Sequence, residues 1–294
     1  MTTKYHDNHN HTAMFSPDAK QSLDELCADA LRNGLAGLTL SDHYDKDIID
    51  GRTVPEVSVY GEAGAEGEWV FDFAKYKDVI NEKQDALRKA GTPLKLLRGV
   101  EVGYLPYQTE GLWPFMALQD FDSVILSVHG LDGLDLYYNR HIYEQGYKTV
   151  YQAYLEAIVQ MLEANLDFDI VGHYDYVARY LPGTFQLLRY RDFSDHFDTI
   201  FRLIRDQGKA LELNTRSRYR LLDRDNVNTG LPDADVFKRF AEVGGEFVAL
   251  SSDSHEAGNS GRMFEESAAF LLQNGVRYAV HFENRRPVTT TIEL

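Results

Sequence analysis

The sequence predicts an α/β fold, a single TIM-like barrel domain of parallel strands with a helix after each strand. Three observations predict it. Short apolar runs alternate with longer amphipathic ones along the 294 residues, the pattern of strand–helix units around a parallel sheet. Several amphipathic runs stop at a glycine, as at Asn33-Gly34, Ala90-Gly91, Gln207-Gly208 and Asn274-Gly275, and glycine is the residue expected just past a helix C-terminus. No repeat, low-complexity tract or Pro/Gly/Ser linker divides the chain, so one domain is expected over residues 1–294. About seven strand–helix units fall somewhat short of the eight of the full barrel. A doubly wound open sheet fits the same alternation, because strand order is not readable from it.

In chain order, the expected strands are Tyr5–His9, Leu35–Ser41, Leu94–Glu101, Phe121–Val128, Phe168–Gly172, Ala210–Asn214 and Phe247–Ser252. All but the polar first are short, largely apolar runs of the length a buried parallel strand needs. The helices expected between and after them are Leu23–Arg32, Phe73–Lys89, Tyr147–Ala164, Phe193–Asp206, Ala234–Val243 and Gly261–Gln273. The stretch Tyr44–Trp69 is long and rich in Gly and acidic residues, which reads as a loop lying over a site. Gly130–Gly146 reads the same way.

Composition narrows the function. Acidic residues outnumber basic ones 46 to 30, for a formal charge of −16. That balance argues against a nucleic-acid binder, which would present a basic face. It does not oppose a phosphorylated substrate, because bound divalent cations can make a pocket locally positive. No apolar run approaches the roughly 20 residues of a membrane span, and the polar start, MTTKYHDNHNH, does not resemble a signal peptide. Cys27 is the one cysteine. It excludes a disulfide framework, fits a reducing cytoplasm, and is expected as a buried thiol on its helix.

The ten histidines are informative because of where they fall. His9 and His11 end the first expected strand, His43 follows the second, Glu101 closes the third and His129 follows the fourth. His173 follows the fifth, and Asp253 and His255 follow the seventh. In an α/β barrel the C-terminal ends of the strands converge on one face, where active sites are built. His9-Asn10-His11 and Asp253-Ser254-His255 are i, i+2 pairs, whose side chains share one side of an extended chain. Imidazole with carboxylate suits Zn, Fe or Mn better than Ca. Eight such groups exceed one tetrahedral ion and suit two or three, with Glu101 the natural bridge. Each piece alone has a plainer reading: a solvated His-x-His, an Asp-Ser helix cap at 253–254, a hydrogen-bonded core His173. Asp42 is adjacent to His43 and is expected to orient an imidazole through its other nitrogen. His6, His141, His196 and His281 fit no strand end and are expected on the surface or in loops.

Read in order, His9-Asn10-His11, Ser41-Asp42-His43, Gly99-Val100-Glu101, Ser127-Val128-His129, Gly172-His173 and Ser252-Asp253-Ser254-His255 resemble the motifs of the PHP (polymerase and histidinol phosphatase) family. The resemblance runs from residue 5 to about 283. Phe15-Ser16-Pro17-Asp18, Leu213-Asn214-Thr215 and the Gly261–Gly275 helix resemble its histidinol-phosphatase branch. It implies a distorted seven-stranded (β/α) barrel with a trinuclear metal centre. One metal would take His9, His11, Glu101 and Asp253, a second Glu101, His129 and His173, and a third Asp18, His43 and His255. Many family members carry histidine where this chain has Asp18. Asp18 could equally cap the helix that begins near Ser22.

The implied activity is hydrolysis of L-histidinol phosphate in histidine biosynthesis, a cytoplasmic task. Clustered divalent metals would activate water and hold the phosphate oxygens, with Glu101, Asp253 and His255 as the catalytic groups. An arginine is the natural further donor to phosphate. Arg179 is the first candidate and Arg218, in the Arg-rich loop after the sixth strand, the second, with Arg216 and Arg220 close rivals. Three other functions compete. Another small phosphate monoester, such as a nucleotide or sugar phosphate, would suit the same centre. An amidohydrolase also opens with His-x-His, but commonly places a carboxylated lysine where this chain has His129. A non-catalytic metal-bound module is opposed by the full ligand set.

Overall fold

The computed structural model describes residues 5–293. Seven strands lie side by side in parallel: His6–Asp7, Gly37–Leu40, Lys95–Gly103, Ser123–Ser127, Ile170–Val171, Ala210–Asn214 and Val248–Ser251. All seven match strands expected from the sequence. They curve until the last approaches the first, but no ladder closes the sheet among the described residues. Instead Asn8 N–H donates to Leu250 O at 3.1 Å, His11 N–H donates to Ser254 O at 2.9 Å, and Asn10 bridges Ser254. The Asn8 amide also donates to Leu250 O and Val280 O, at 3.0 Å each. A buried side-chain amide here supplies donors that a longer strand would have supplied from its backbone.

Paired residues point to the same side of a sheet, so register identifies the interior. Glu101 pairs with Ile125, Ile125 with Ile170, and Ile170 with Ala210. Ile125, Ile170 and Ala210 form the inner apolar cluster together with Ala249, Val280 and Phe282. Glu101 therefore faces the barrel interior. So does Glu212, which pairs with Ala249. The larger apolar core lies outside, between strands and helices.

The helices Leu23–Arg32, Phe73–Lys89, Tyr147–Glu163, Ser194–Asp206, Ala234–Glu242 and Phe264–Gln273 cover the outside. The first opens with a capping box, Ser22 against Glu25, an arrangement whose loss costs about 1 kcal/mol. Past its end, Gly34 takes φ 67°, which a side chain would resist.

Three expectations are corrected. The Tyr44–Trp69 stretch is not a structureless loop: His43–Ile49 is a strand that leaves the barrel beside Glu101 and pairs antiparallel with Arg52–Thr53 and Glu68–Trp69. Its sequence looks polar because its charges are buried as partners, Lys46 with Asp47 and Glu68. Gly130–Leu131 and Leu134–Asp135 extend this small sheet. The stretch after Asn214 is not a loop either, since Arg216–Asp225 is a helix. A C-terminal hairpin that the sequence reading did not anticipate, Tyr278–Glu283 with Arg286–Thr291, follows the last barrel strand and sends Val280 and Phe282 into the inner cluster.

Candidate metal centre

His9 and His11 sit on an extended segment whose middle residue turns the other way. The Asn10 amide donates to Asp7 O and Thr39 O, both at 3.2 Å, which leaves the two imidazoles on the interior side. Asp253 stands just past the Val248–Ser251 strand at φ 51°, a left-handed conformation uncommon for a residue with a side chain. It turns the carboxylate into the barrel mouth beside His11 and brings His255 round after it.

Glu101 lies at the middle. Its Oε1 is 3.0 Å from His129 Nε2 and 2.8 Å from His173 Nε2, and it accepts from Ser127 Oγ at 2.7 Å. Its Oε2 is 3.1 Å from His9 Nε2, 2.9 Å from His43 Nδ1 and 3.6 Å from His11 Nε2. One carboxylate thus straddles two sets of imidazoles. His11 Nε2 is 3.4 Å from Asp253 Oδ1. On the outer side Asp18 Oδ2 is 2.9 Å from His255 Nε2, and Asp18 Oδ1 is 3.6 Å from His43 Nε2. The possible ligand atoms gather in overlapping clusters, among them His9, His11 and Asp253; Glu101, His129 and His173; and His11, His43 and His255. The structure brings together all nine residues singled out in the sequence.

Whether these atoms suit metal ions is tested by what else holds them. His9 Nε2, His11 Nε2, His43 Nδ1, His255 Nε2, Asp18 Oδ1 and Glu101 Oε2 are all buried without a hydrogen bond. Buried polar atoms are ordinarily satisfied, and here the orphans converge on one volume. The donor set, imidazole with carboxylate, fits Zn, Fe or Mn. The charges agree. Burial would raise the Glu101 carboxyl, but His9, His129 and His43 hold it well below the usual range. Burial would likewise raise Asp253, yet Arg216, His9 and Arg179 hold it low. Burial, with His255 and His43, pushes His11 well below the ordinary imidazole value. Burial would lower His9, His43 and His129, but the surrounding carboxylates, Glu101 among them, raise all three, so a divalent cation would take the place of protons on these rings.

The far nitrogens of the rings are held in turn. His9 Nδ1 meets Glu212 Oε1 at 2.7 Å and His129 Nδ1 meets Asp45 Oδ1 at 3.1 Å, the arrangement that fixes ring orientation in metal sites. Sequence reasoning missed both acids. For Glu212 there is a signal, an acid between two leucines in the buried strand Ala210–Asn214. Asp42 does not touch an imidazole, contrary to expectation. It accepts from Ser16 Oγ at 2.6 Å, and Ser16 Oγ in turn lies 3.2 Å from His11 Nδ1.

Above the centre is a cleft of about 630 Å³, walled by Trp69, Tyr137, Tyr138, Tyr176 and Tyr180 among others. Arg179 lines it and is buried, with Nη1 donating to Asp253 Oδ2 at 3.1 Å and Nε to Ser217 Oγ at 3.0 Å. Arg218 does not line it; it pairs with Asp175 at 2.6 Å. The helix explains the difference. At about 100° per residue, Arg218 points well away from Arg216, whereas Arg220 returns near it. Arg216 and Arg220 both line the cleft, and Arg216 Nη1 donates to Asp253 Oδ1 at 3.1 Å. Of the histidines set aside, His6 is buried rather than exposed, with Nε2 2.8 Å from Thr39 Oγ1 and its ring stacked on His281 at 4.4 Å.

Comparison with known proteins adds a lineage to this geometry. The family model described as the PHP domain matches residues 7–216. A protein from Clostridium acetobutylicum named "probable histidinol-phosphatase" is 30% identical over 280 residues, covering 95% of this chain and 97% of its own. The histidinol-phosphatase of Lactococcus lactis subsp. lactis is 27% identical, covering 85% of this chain and 84% of its own. A crystal structure of histidinol phosphate phosphatase from Lactococcus lactis subsp. lactis, complexed with zinc, L-histidinol and phosphate, superposes with a TM-score of 0.81 at 24% identity, covering 97% and 99% of the two chains. The likeness extends over nearly the whole of both chains, in sequence as in fold, and the chain belongs to the PHP domain family.

Proposed function

We propose that this protein hydrolyses L-histidinol phosphate to L-histidinol and phosphate, as a metal-dependent phosphomonoesterase of histidine biosynthesis acting in the cytoplasm. The observation that carries the reading is the Glu101 carboxylate set between two groups of imidazoles, with orphaned buried ligand atoms around it. Its relatives' names supply the substrate. His9, His11, Glu101 and Asp253 would hold one ion, Glu101, His129 and His173 a second, and Asp18, His43 and His255 a third, within a single domain. When bound, two to three divalent ions would supply Lewis acidity for water and for the phosphoryl oxygens.

The chain's own groups divide the remaining work. Arg179 and Arg216 reach the cleft from either side of Asp253, and their forked donors match the non-bridging oxygens of a phosphoryl group. Asp253 stays ionised between them, its Oδ1 accepting from Arg216 and its Oδ2 from Arg179. Glu101 keeps both oxygens turned inward because Ser127 and the imidazoles fix its plane. His255 lies over the outer cluster beside Asp18.

The test is steady-state turnover of L-histidinol phosphate beside a panel of nucleotide and sugar phosphates, before and after treatment with a chelator. The expected result is highest kcat/KM on L-histidinol phosphate, lost with the metals and restored by Zn, Mn or Fe. Full activity in metal-free protein, or preference for another ester, would overturn the reading.

A further inference from the structure

The carboxylates on the wall of the cleft are Asp18, Asp45, Asp135, Asp223, Asp253 and Glu256. Five have a cationic or imidazole partner: Asp18 has His255 at 2.9 Å, Asp45 has His129 at 3.1 Å, Asp223 has Arg262 at 2.5 Å, Asp253 has Arg179 at 3.1 Å and Glu256 has Lys20 at 2.6 Å. Asp135 has none among the described residues. Its Oδ1 accepts the backbone N–H groups of Tyr137 and Tyr138, at 2.7 and 3.3 Å, which fixes the carboxylate on the wall. Among the described residues its Oδ2 has no donor.

The surroundings of Asp135 are aromatic. Trp69 meets Tyr138 edge-on at 6.4 Å, Tyr138 meets Tyr137 at 4.9 Å, Tyr137 meets Tyr180 at 5.6 Å and Tyr180 meets Tyr176 at 4.9 Å. A carboxylate set among aromatic faces is the combination that recognises an organic ammonium, by charge and by attraction to the ring faces. Position agrees as well. Leu136 N–H donates to His129 O at 3.0 Å, which holds Asp135 beside a residue of the centre, while Arg179 and Arg216 sit with Asp253. The cleft therefore offers a place for an anion at its arginines and a place for a cation close by.

We infer that Asp135 is a specificity residue that binds the substrate's ammonium group through Oδ2, and so selects phosphate monoesters carrying a protonated amine close to the ester oxygen. The inference rests on the histidinol-phosphate reading above, in which the ammonium stands on the carbon next to the ester-bearing one. An analogue without the amine leaves the half-buried Asp135 unpaired, and a site built for a polar group discriminates against the substrate that lacks it.

The experiment uses the metal-loaded enzyme with three esters: L-histidinol phosphate, its deamino analogue 3-(imidazol-4-yl)propyl phosphate, and p-nitrophenyl phosphate. The wild type is expected to favour the amine-bearing ester over the deamino one by about 10- to 100-fold in kcat/KM. In Asp135→Asn, which keeps an acceptor for Tyr137 and Tyr138, that ratio is expected to fall to near one. A wild type that turns over both imidazole esters equally overturns the inference and leaves the histidinol-phosphate reading standing. An Asp135→Asn variant that keeps the wild-type ratio overturns it in the same way. A wild type that hydrolyses p-nitrophenyl phosphate but neither imidazole ester overturns both. Should the variant fail to fold, the wild-type ratio alone still decides.

Discussion

His9 Nδ1 lies 2.7 Å from Glu212 Oε1, and the other oxygen of that carboxylate accepts the backbone N–H of His173. One buried acid thus fixes an imidazole after the first strand and the chain carrying another after the fifth. Burial would raise its pKa, but His9 and His173 hold it below the usual range, so Glu212 serves as an ionised acceptor. A neutral amide at the same place keeps the shape and gives up the charge that makes His9 a better ligand.

Glu212→Gln is therefore expected to fold normally and to bind metal about 10- to 100-fold more weakly. Competition with a chromophoric chelator measures this directly. Unaltered affinity would mean that Glu212 only fills space.

The two arginines expected from the sequence should part company when replaced. Arg179 reaches Asp253 in the cleft, and Arg179→Met is expected to lower kcat/KM by roughly 10²- to 10³-fold, the scale of a lost donor to developing charge. Arg218 is buried against Asp175. Arg218→Met leaves that acid uncompensated, and breaking a buried pair costs about 3–5 kcal/mol. Urea unfolding should show the loss, while kcat/KM of the folded variant stays within about tenfold of wild type. A large kinetic effect with normal stability would return Arg218 to the phosphate.

What the sequence can and cannot disclose follows from which interactions are periodic. Six of the seven barrel strands are legible because parallel strands are buried on both faces and read as largely apolar runs; the first, Tyr5–His9, is polar. His9-Asn10-His11 and Asp253-Ser254-His255 are legible because residue spacing alone puts such pairs on one side. The strand His43–Ile49 is not, since Lys46, Asp47 and Glu68 are buried by pairing with one another, and mutual pairing leaves no hydropathy signal. Asp45 hides for the same reason, its partner His129 lying 84 residues away. The hairpin from Tyr278 is hidden differently: its second strand, Arg286–Thr291, is largely exposed and carries no apolar run. Arg218 cannot be told from its neighbours while the stretch after Asn214 reads as a loop, in which direction is undefined, whereas a helix assigns each arginine its own side.

His6 shows a cost of burying an imidazole away from the metal centre. Burial foremost, then His281 and Lys95, push it well below its ordinary value of 6.5. It is therefore neutral in the folded protein at pH values where the unfolded chain takes up a proton. The sign follows directly: stability is full above about pH 6.5 and declines as pH falls below it, because the unfolded state then binds more protons. For one imidazole kept neutral the slope is about 1.4 kcal/mol per pH unit. His6→Gln, whose amide can still meet Thr39 Oγ1, removes that term. Melting temperatures of the two proteins between pH 7.5 and 5 (about the range over which an imidazole of ordinary pKa titrates) should therefore draw together or cross as pH falls, with the wild type losing more. Parallel curves would show that His6 is protonated in the folded state and that its stack on His281 tolerates the charge.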